Sequence, residues 1–346
     1  METKKDTSLD IAKGIGILLM VIGHTGCPKW LHDSIYSFHM PLFFILSGIC
    51  LSEKRLKNSY KDYAYSRIKR LYLPFIKYGL FFYTFNLIIN ISIYDRSISI
   101  IGSLKDLGLI FAMIQTPDLV AGYWFLTALF FASILGFILL KIVRNKICKL
   151  LLIPLLLVLM IVFQKYGIHF LELFSYKTVY YTALFLGGYL YKKQICEMAF
   201  KCRSFCAVFF ILICTLVTSL CNLHTATDSP YEILLVFCLS VFGSIGTIWI
   251  CKDIAKYTKC LSKGLKYLGE KTMDILTWHF SGLRIMNVLI VVCFALPKDQ
   301  IMAFPCIQDN SYNWCIYVPF AIGFSLLMGE MIKSVKNDIQ YCNTHI

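Results

Sequence analysis

Residues 121–164 read AGYWFLTALFFASILGFILLKIVRNKICKLLLIPLLLVLMIVFQ, two long apolar runs joined by a short basic connection around Arg144 and Lys146. Neither run contains an acidic residue. A helix of about 20 such residues crosses a hydrocarbon core of roughly 30 Å. The same pattern recurs on both sides. Ten apolar stretches are placed at 11–26, 34–52, 71–94, 121–143, 148–164, 176–192, 204–222, 231–251, 273–296 and 313–332. Segment 98–116 is amphipathic and carries Lys105 and Asp106, so it is expected to lie at the interface or re-enter rather than span.

Composition agrees with this pattern. Of 346 residues, 58% are hydrophobic and 16% charged, against about 25% charged in an average soluble domain. That leaves too little polar surface for a soluble enzyme and too little charge for a disordered chain. The net charge of +14 would point to a polyanion in a soluble protein. Here its distribution matters more. Counted in and at the edges of the connections, 25 of the 34 Lys and Arg fall on one alternating side and 6 on the other. The other three, Lys13, Lys77 and Arg284, lie within apolar stretches. The positive-inside rule then places both termini in the cytoplasm. The expected fold is an all-α polytopic bundle of about ten spans, read as one domain over residues 1–346.

Fifteen cysteines are scattered mainly through apolar runs, without CxxC or zinc-type spacing, and read as small buried side chains. A Cys306–Cys315 disulfide stays open as an alternative. No metal site, Walker sequence, GxSxG or dinucleotide fingerprint is present, so no metal is expected. The apolar run near the N-terminus is interrupted by Lys13 and does not read as a cleaved signal.

Ionisable side chains inside a span mark function by default. In DIAKGIGILLMVIGH (10–24), Lys13 and His24 are eleven residues apart, so they share a helix face about 16 Å apart. A long polar ligand laid along that face would meet a cation near the cytoplasm and an imidazole deeper in. FHMPLFFILSG (38–48) brings His39 to the level of His24, and Ser47-Gly48 suits close helix contact. The connection 53–70 carries seven basic residues and ends in RIKRLYLPF; the spacing of Arg67 and Arg70 would put them on one helix face, suited to phosphate. Tyr123 and Trp124 read as interfacial anchors. His279 and Arg284 are intramembrane, and Glu330 has an expected but unnamed basic partner. His32, His169, His224 and His345 receive no role. These residues alone leave open a secondary transporter with an intramembrane Lys/His/Arg site, or a lipid-binding scaffold, besides an enzyme.

Together they resemble the acyltransferase 3 family of integral-membrane acyltransferases, and more narrowly its fucose 4-O-acetylase-like branch. The resemblance rests on Asp10, Lys13 and His24, on FHMPLFFILSG, and on Arg67, Arg70 and Pro74, with WFL at 124–126 and His279 fitting more loosely. Where the family most often has Arg, this chain has Lys13, which keeps the charge but loses the planar fork. The resemblance implies transfer of an acyl group, usually from acetyl-CoA at the cytoplasmic face, to a hydroxyl of a cell-surface sugar or glycolipid. It implies a protein of the bacterial inner membrane, with acyl-CoA, the acceptor and the lipid bilayer as partners and no nucleic acid. It casts His24 as general base or acyl carrier, Lys13 as a donor-orienting cation, and Arg67 and Arg70 as holders of the donor phosphates. His279 is expected to stabilise the oxyanion. The oligomeric state is left open.

Overall fold

A computed structural model describes residues 6–92, 99–114, 118–168, 175–197, 202–221, 229–307 and 314–344. Among them the chain is helical and contains no strand. In chain order the helices are α1 (Thr7–Gly23), α2 (Lys29–Ile49), α3 (Glu53–Leu56), α4 (Tyr60–Arg67), α5 (Leu73–Ser92), α6 (Ile100–Phe111), α7 (Trp124–Ile142), α8 (Lys146–Lys165), α9 (Tyr176–Leu190), α10 (Lys192–Glu197), α11 (Arg203–Cys221), α12 (Pro230–Tyr257), α13 (Lys259–Glu270), α14 (Thr272–Cys293) and α15 (Trp314–Thr344). Each of the ten apolar stretches coincides with one long helix. Among the described residues, six helical segments are long and apolar enough to cross a membrane: Val120–Ile142, Lys146–Lys165, Arg203–Cys221, Pro230–Tyr257, Thr272–Cys293 and Trp314–Asp338. At 15 residues, α9 rises only about 22 Å, short of a full hydrocarbon core. In α6, Ile100, Ile101 and Leu104 are exposed.

Packing divides the chain into two compact units, Met1–Tyr36 with Ile254–Ile346, and Ser37–Asp253. The divisions fall inside α2 and α12.

In the first unit, α1 begins at an Asp6 cap, whose carboxylate accepts from the Ser8 backbone N–H at 3.0 Å. It meets α13 through two glycines. A Cβ on Gly14 would stand 1.9 Å from the Leu265 carbonyl oxygen, and one on Gly269 would stand 1.9 Å from that of Asp10. Only backbone fits this crossing. The reciprocal contact fixes the first two turns of α1, where Asp10 and Lys13 lie. Helix α14 packs on α15 with Gly282 against Ala321.

The second unit uses the same device between α2 and α9. A Cβ on Gly48 would lie 2.0 Å from the Phe185 carbonyl oxygen, and one on Gly188 would lie 2.1 Å from that of Ile45. Gly48 therefore makes the close contact its sequence context foretold. Tyr123, expected at an interface, is instead fully buried beside Phe75, while Trp124 is exposed. Cys306 and Cys315 are both free thiols and do not form a disulfide.

Candidate active site

Helix α1 ends where His24 leaves helical geometry (φ −97°, ψ 4°), its N–H still bonded to the Val21 carbonyl at 3.0 Å. The turn into α2 passes through Gly26 at φ +68°, a left-handed conformation that favours glycine. The chain then returns so that the Tyr36 hydroxyl lies 3.3 Å from His24 Nδ1. The His32 ring stacks on Tyr36 at 4.1 Å, and its Nδ1 lies 3.2 Å from Asp33, which also accepts from Lys29 at 2.6 Å. Tyr36 was not foreseen. The signal for it was register: a tight hairpin brings the first residues of the returning helix level with His24.

His24 and His279 come together. Their rings stack at 5.6 Å with 28° between planes, and both touch Phe280, at 4.9 and 4.0 Å. His279 is fully buried in mid-α14. Its Nδ1 is 3.0 Å from the carbonyl oxygens of both Ile275 and Leu276. Carbonyls only accept, so Nδ1 carries the proton and donates to them, leaving Nε2 with a lone pair in the neutral ring. That Nε2 is buried with no hydrogen-bond partner among the described residues. An oxyanion needs a donor, so the expected oxyanion role does not suit this tautomer; neutral His279 offers an acceptor instead.

The segment after α14 is held against it. The Phe304 ring packs at a tilt on Phe280, 5.0 Å between centroids. Arg284 donates to the Ile301 carbonyl at 3.0 Å. Buried Asn287 donates to the Ala303 carbonyl at 2.9 Å and accepts from the Tyr317 hydroxyl at 2.6 Å. Arg284 therefore ties down a loop rather than pointing at a ligand. Glu330 accepts from Lys271 at 2.5 Å, which names its partner. That hydrogen bond raises the Lys271 pKa above its ordinary value, with Asp274 3.5 Å away adding to it and burial opposing it.

Lys13 donates to Asp10 at 3.0 Å, the lysine partly exposed and the carboxylate buried. Along α1 it stands three turns from His24, about 16 Å. The pair can touch one ligand only if that ligand is long.

Arg67, Arg70 and His39 belong to the second unit. His39 is buried there, on the stretch of α2 that contains Pro41. Between α4 and α5 the chain makes a π-helical turn, Ile68–Tyr72. Its larger number of residues per turn breaks the three-residue spacing expected to align Arg67 with Arg70. Arg67 is half-buried with its guanidinium 4.8 Å over the Tyr63 ring, and Arg70 is exposed. Buried Arg67 Nε has no hydrogen-bond partner among the described residues. Burial lowers the Arg67 pKa; Tyr63 opposes this, and the Arg70 and Arg55 charges add to it. Arg55, Arg67 and Arg70 thus form a cationic cluster in which a buried N–H is unanswered.

A protein-family profile described as an acyltransferase domain matches residues 6–330. Nodulation protein NolL of Mesorhizobium japonicum is 33% identical over 142 residues, 38% of this chain and 35% of that protein. The chain therefore matches only about a third of that relative's length. No solved structure matches it.

Proposed function

From the premise that the chain belongs to this acyltransferase family, we propose that it is a membrane O-acetyltransferase of the fucose 4-O-acetylase-like branch. It moves an acetyl group from acetyl-CoA at the cytoplasmic face to a hydroxyl of a cell-surface sugar or glycolipid. In this reading the helices form about ten spans in a bacterial inner membrane, with both termini in the cytoplasm.

The observation that carries the reading is the stacked His24–His279 pair, with a buried, unpartnered Nε2 on His279. His24 is the general base. Its Nδ1–H donates to the Tyr36 oxygen, which frees Nε2 to take the acceptor's hydroxyl proton. The oxygen attacks the thioester carbon and the C–S bond breaks. The proton on His24 then passes to the departing CoA sulfur. Tyr36 fixes the productive tautomer of His24. His279 Nε2 accepts a hydrogen bond from the incoming substrate and orients it. Lys13 holds the donor's pantetheine or pyrophosphate end, as its distance from His24 along α1 suits a long arm. Arg67 and Arg70 bind donor phosphates, a role supported by the unanswered Nε of Arg67 and the lack of any carboxylate paired with the cluster among the described residues.

The test is incubation of radiolabelled acetyl-CoA with membranes containing the protein, followed by extraction of glycan and lipid. Covalent label dependent on His24 is expected. Counterflow uptake by proteoliposomes with no covalent label would instead make the chain a transporter.

A further inference from the structure

A cavity of about 490 Å³ opens within the second unit, between α8, α9, α11 and α12. Its volume falls within the range of ligand sites in helix bundles. Its wall includes Ile153, Pro154, Phe210, Phe242 and Trp249, and Phe210 stacks on Trp249 at 5.7 Å. Its lining also includes Tyr191 and Gln194.

Adjacent glycines show that this space is not a by-product of close packing. A Cβ on Gly188 would collide with the Ile45 backbone, so packing demands that glycine. Gly187, which lines the cavity, has nothing within 4 Å of where its Cβ would stand. Glycine inside a helix is less stable than alanine. Packing gives no reason for it here, and a larger side chain would fill the cavity.

Basic residues neighbour this lining in the sequence. Lys192 and Lys193 lie between Tyr191 and Gln194, and Lys149 is one turn before Ile153. The nearby acid Asp253 is already engaged by Arg203 and Ser204. Around the cavity, α8 and α11 expose Leu151, Leu155, Phe209 and Leu212, on helices long and apolar enough to span a bilayer.

We propose that this cavity is a binding site for an anionic phospholipid, one acyl chain lying against Phe210, Phe242 and Trp249 and the phosphate facing Lys192, Lys193 and Lys149. Basic residues at the membrane end of an interhelical pocket select such headgroups. The site is independent of the transferase reading and needs none of its residues.

The test is native mass spectrometry of the full-length protein from detergent, supplied with phosphatidylglycerol or phosphatidylcholine. The wild type should retain phosphatidylglycerol in preference. Gly187→Leu should lower its occupancy about tenfold. Gly264→Leu, at an equally open glycine of α13, should leave it unchanged. Lys192→Gln with Lys193→Gln should abolish the headgroup preference. Equal retention of both lipids by the wild type, undiminished binding by Gly187→Leu, or a retained mass matching a polyprenyl phosphate would each overturn the proposal. Should Gly187→Leu fail to elute as a single species, quenching of Trp249 by brominated phosphatidylglycerol decides the matter. Quenching should disappear in Trp249→Phe; an unchanged signal in that variant would refute the site.

Discussion

The two units bury polar side chains in different ways. In Ser37–Asp253 several buried hydroxyls close back on their own helix. Thr182 donates to the Thr178 carbonyl at 2.7 Å, Thr218 to Cys214 at 2.7 Å and Thr247 to Gly243 at 2.8 Å. Each satisfies itself within one turn and offers nothing to a ligand. The other unit does the same at Thr277 and Ser325, which donate to the Met273 and Ala321 carbonyls at 2.7 Å, but it also buries Asn287 and His279 at its centre. Asn287 spends its groups on a loop and another helix, while His279 keeps a buried nitrogen unmet. An unmet buried polar atom is expensive unless a ligand answers it. In the proposed reading, acyl transfer takes place at His24 and His279, and the second unit holds the donor phosphates and a lipid.

The largest expected effect tests that division directly. His24→Ala should lower turnover by about 10²–10⁴-fold, the range of general-base catalysis, while expression and donor binding persist. Wild-type turnover in the purified variant would remove His24 from the chemistry. His279→Ala should follow at roughly 10–100-fold, from loss of a buried hydrogen bond to the substrate. Under the proposed role of Arg67 as a holder of donor phosphate, Arg67→Ala should show as a rise of about tenfold in the KM for acetyl-CoA at nearly constant kcat. A fall in kcat alone would place Arg67 in the chemistry and erase the comparison. Tyr36→Phe should cost only a few-fold in kcat, the worth of one neutral hydrogen bond to His24. Thr247→Val should be smallest: at most about 1 kcal/mol in thermal stability, with unchanged turnover.

Much of the fold was readable because its cause is local. An apolar run of about 20 residues forms a helix wherever it sits in lipid, and all ten stretches became long helices. Irregular backbone escaped. The π-helical turn at Ile68–Tyr72 has no signature in RIKRLYLPF, so a spacing argument that assumes α-helix misaligned Arg67 and Arg70. Tyr123 was misjudged because an aromatic residue beside a span end can anchor at an interface or fill a core, and the choice rests on neighbours such as Phe75.

By itself the sequence determined the helices, the asymmetry of their basic connections, and the few charged or imidazole side chains inside apolar runs. These depend on hydropathy and charge counted along the chain. Only the tertiary structure decided that His24 meets His279, that Tyr36 reaches the first, that backbone carbonyls set the tautomer of the second, and that Glu330 pairs with Lys271. Those are contacts between residues far apart in sequence or across a turn. Their geometry follows from close crossings such as that of Gly14 with Gly269, where the absence of a side chain sets how near two helices can lie.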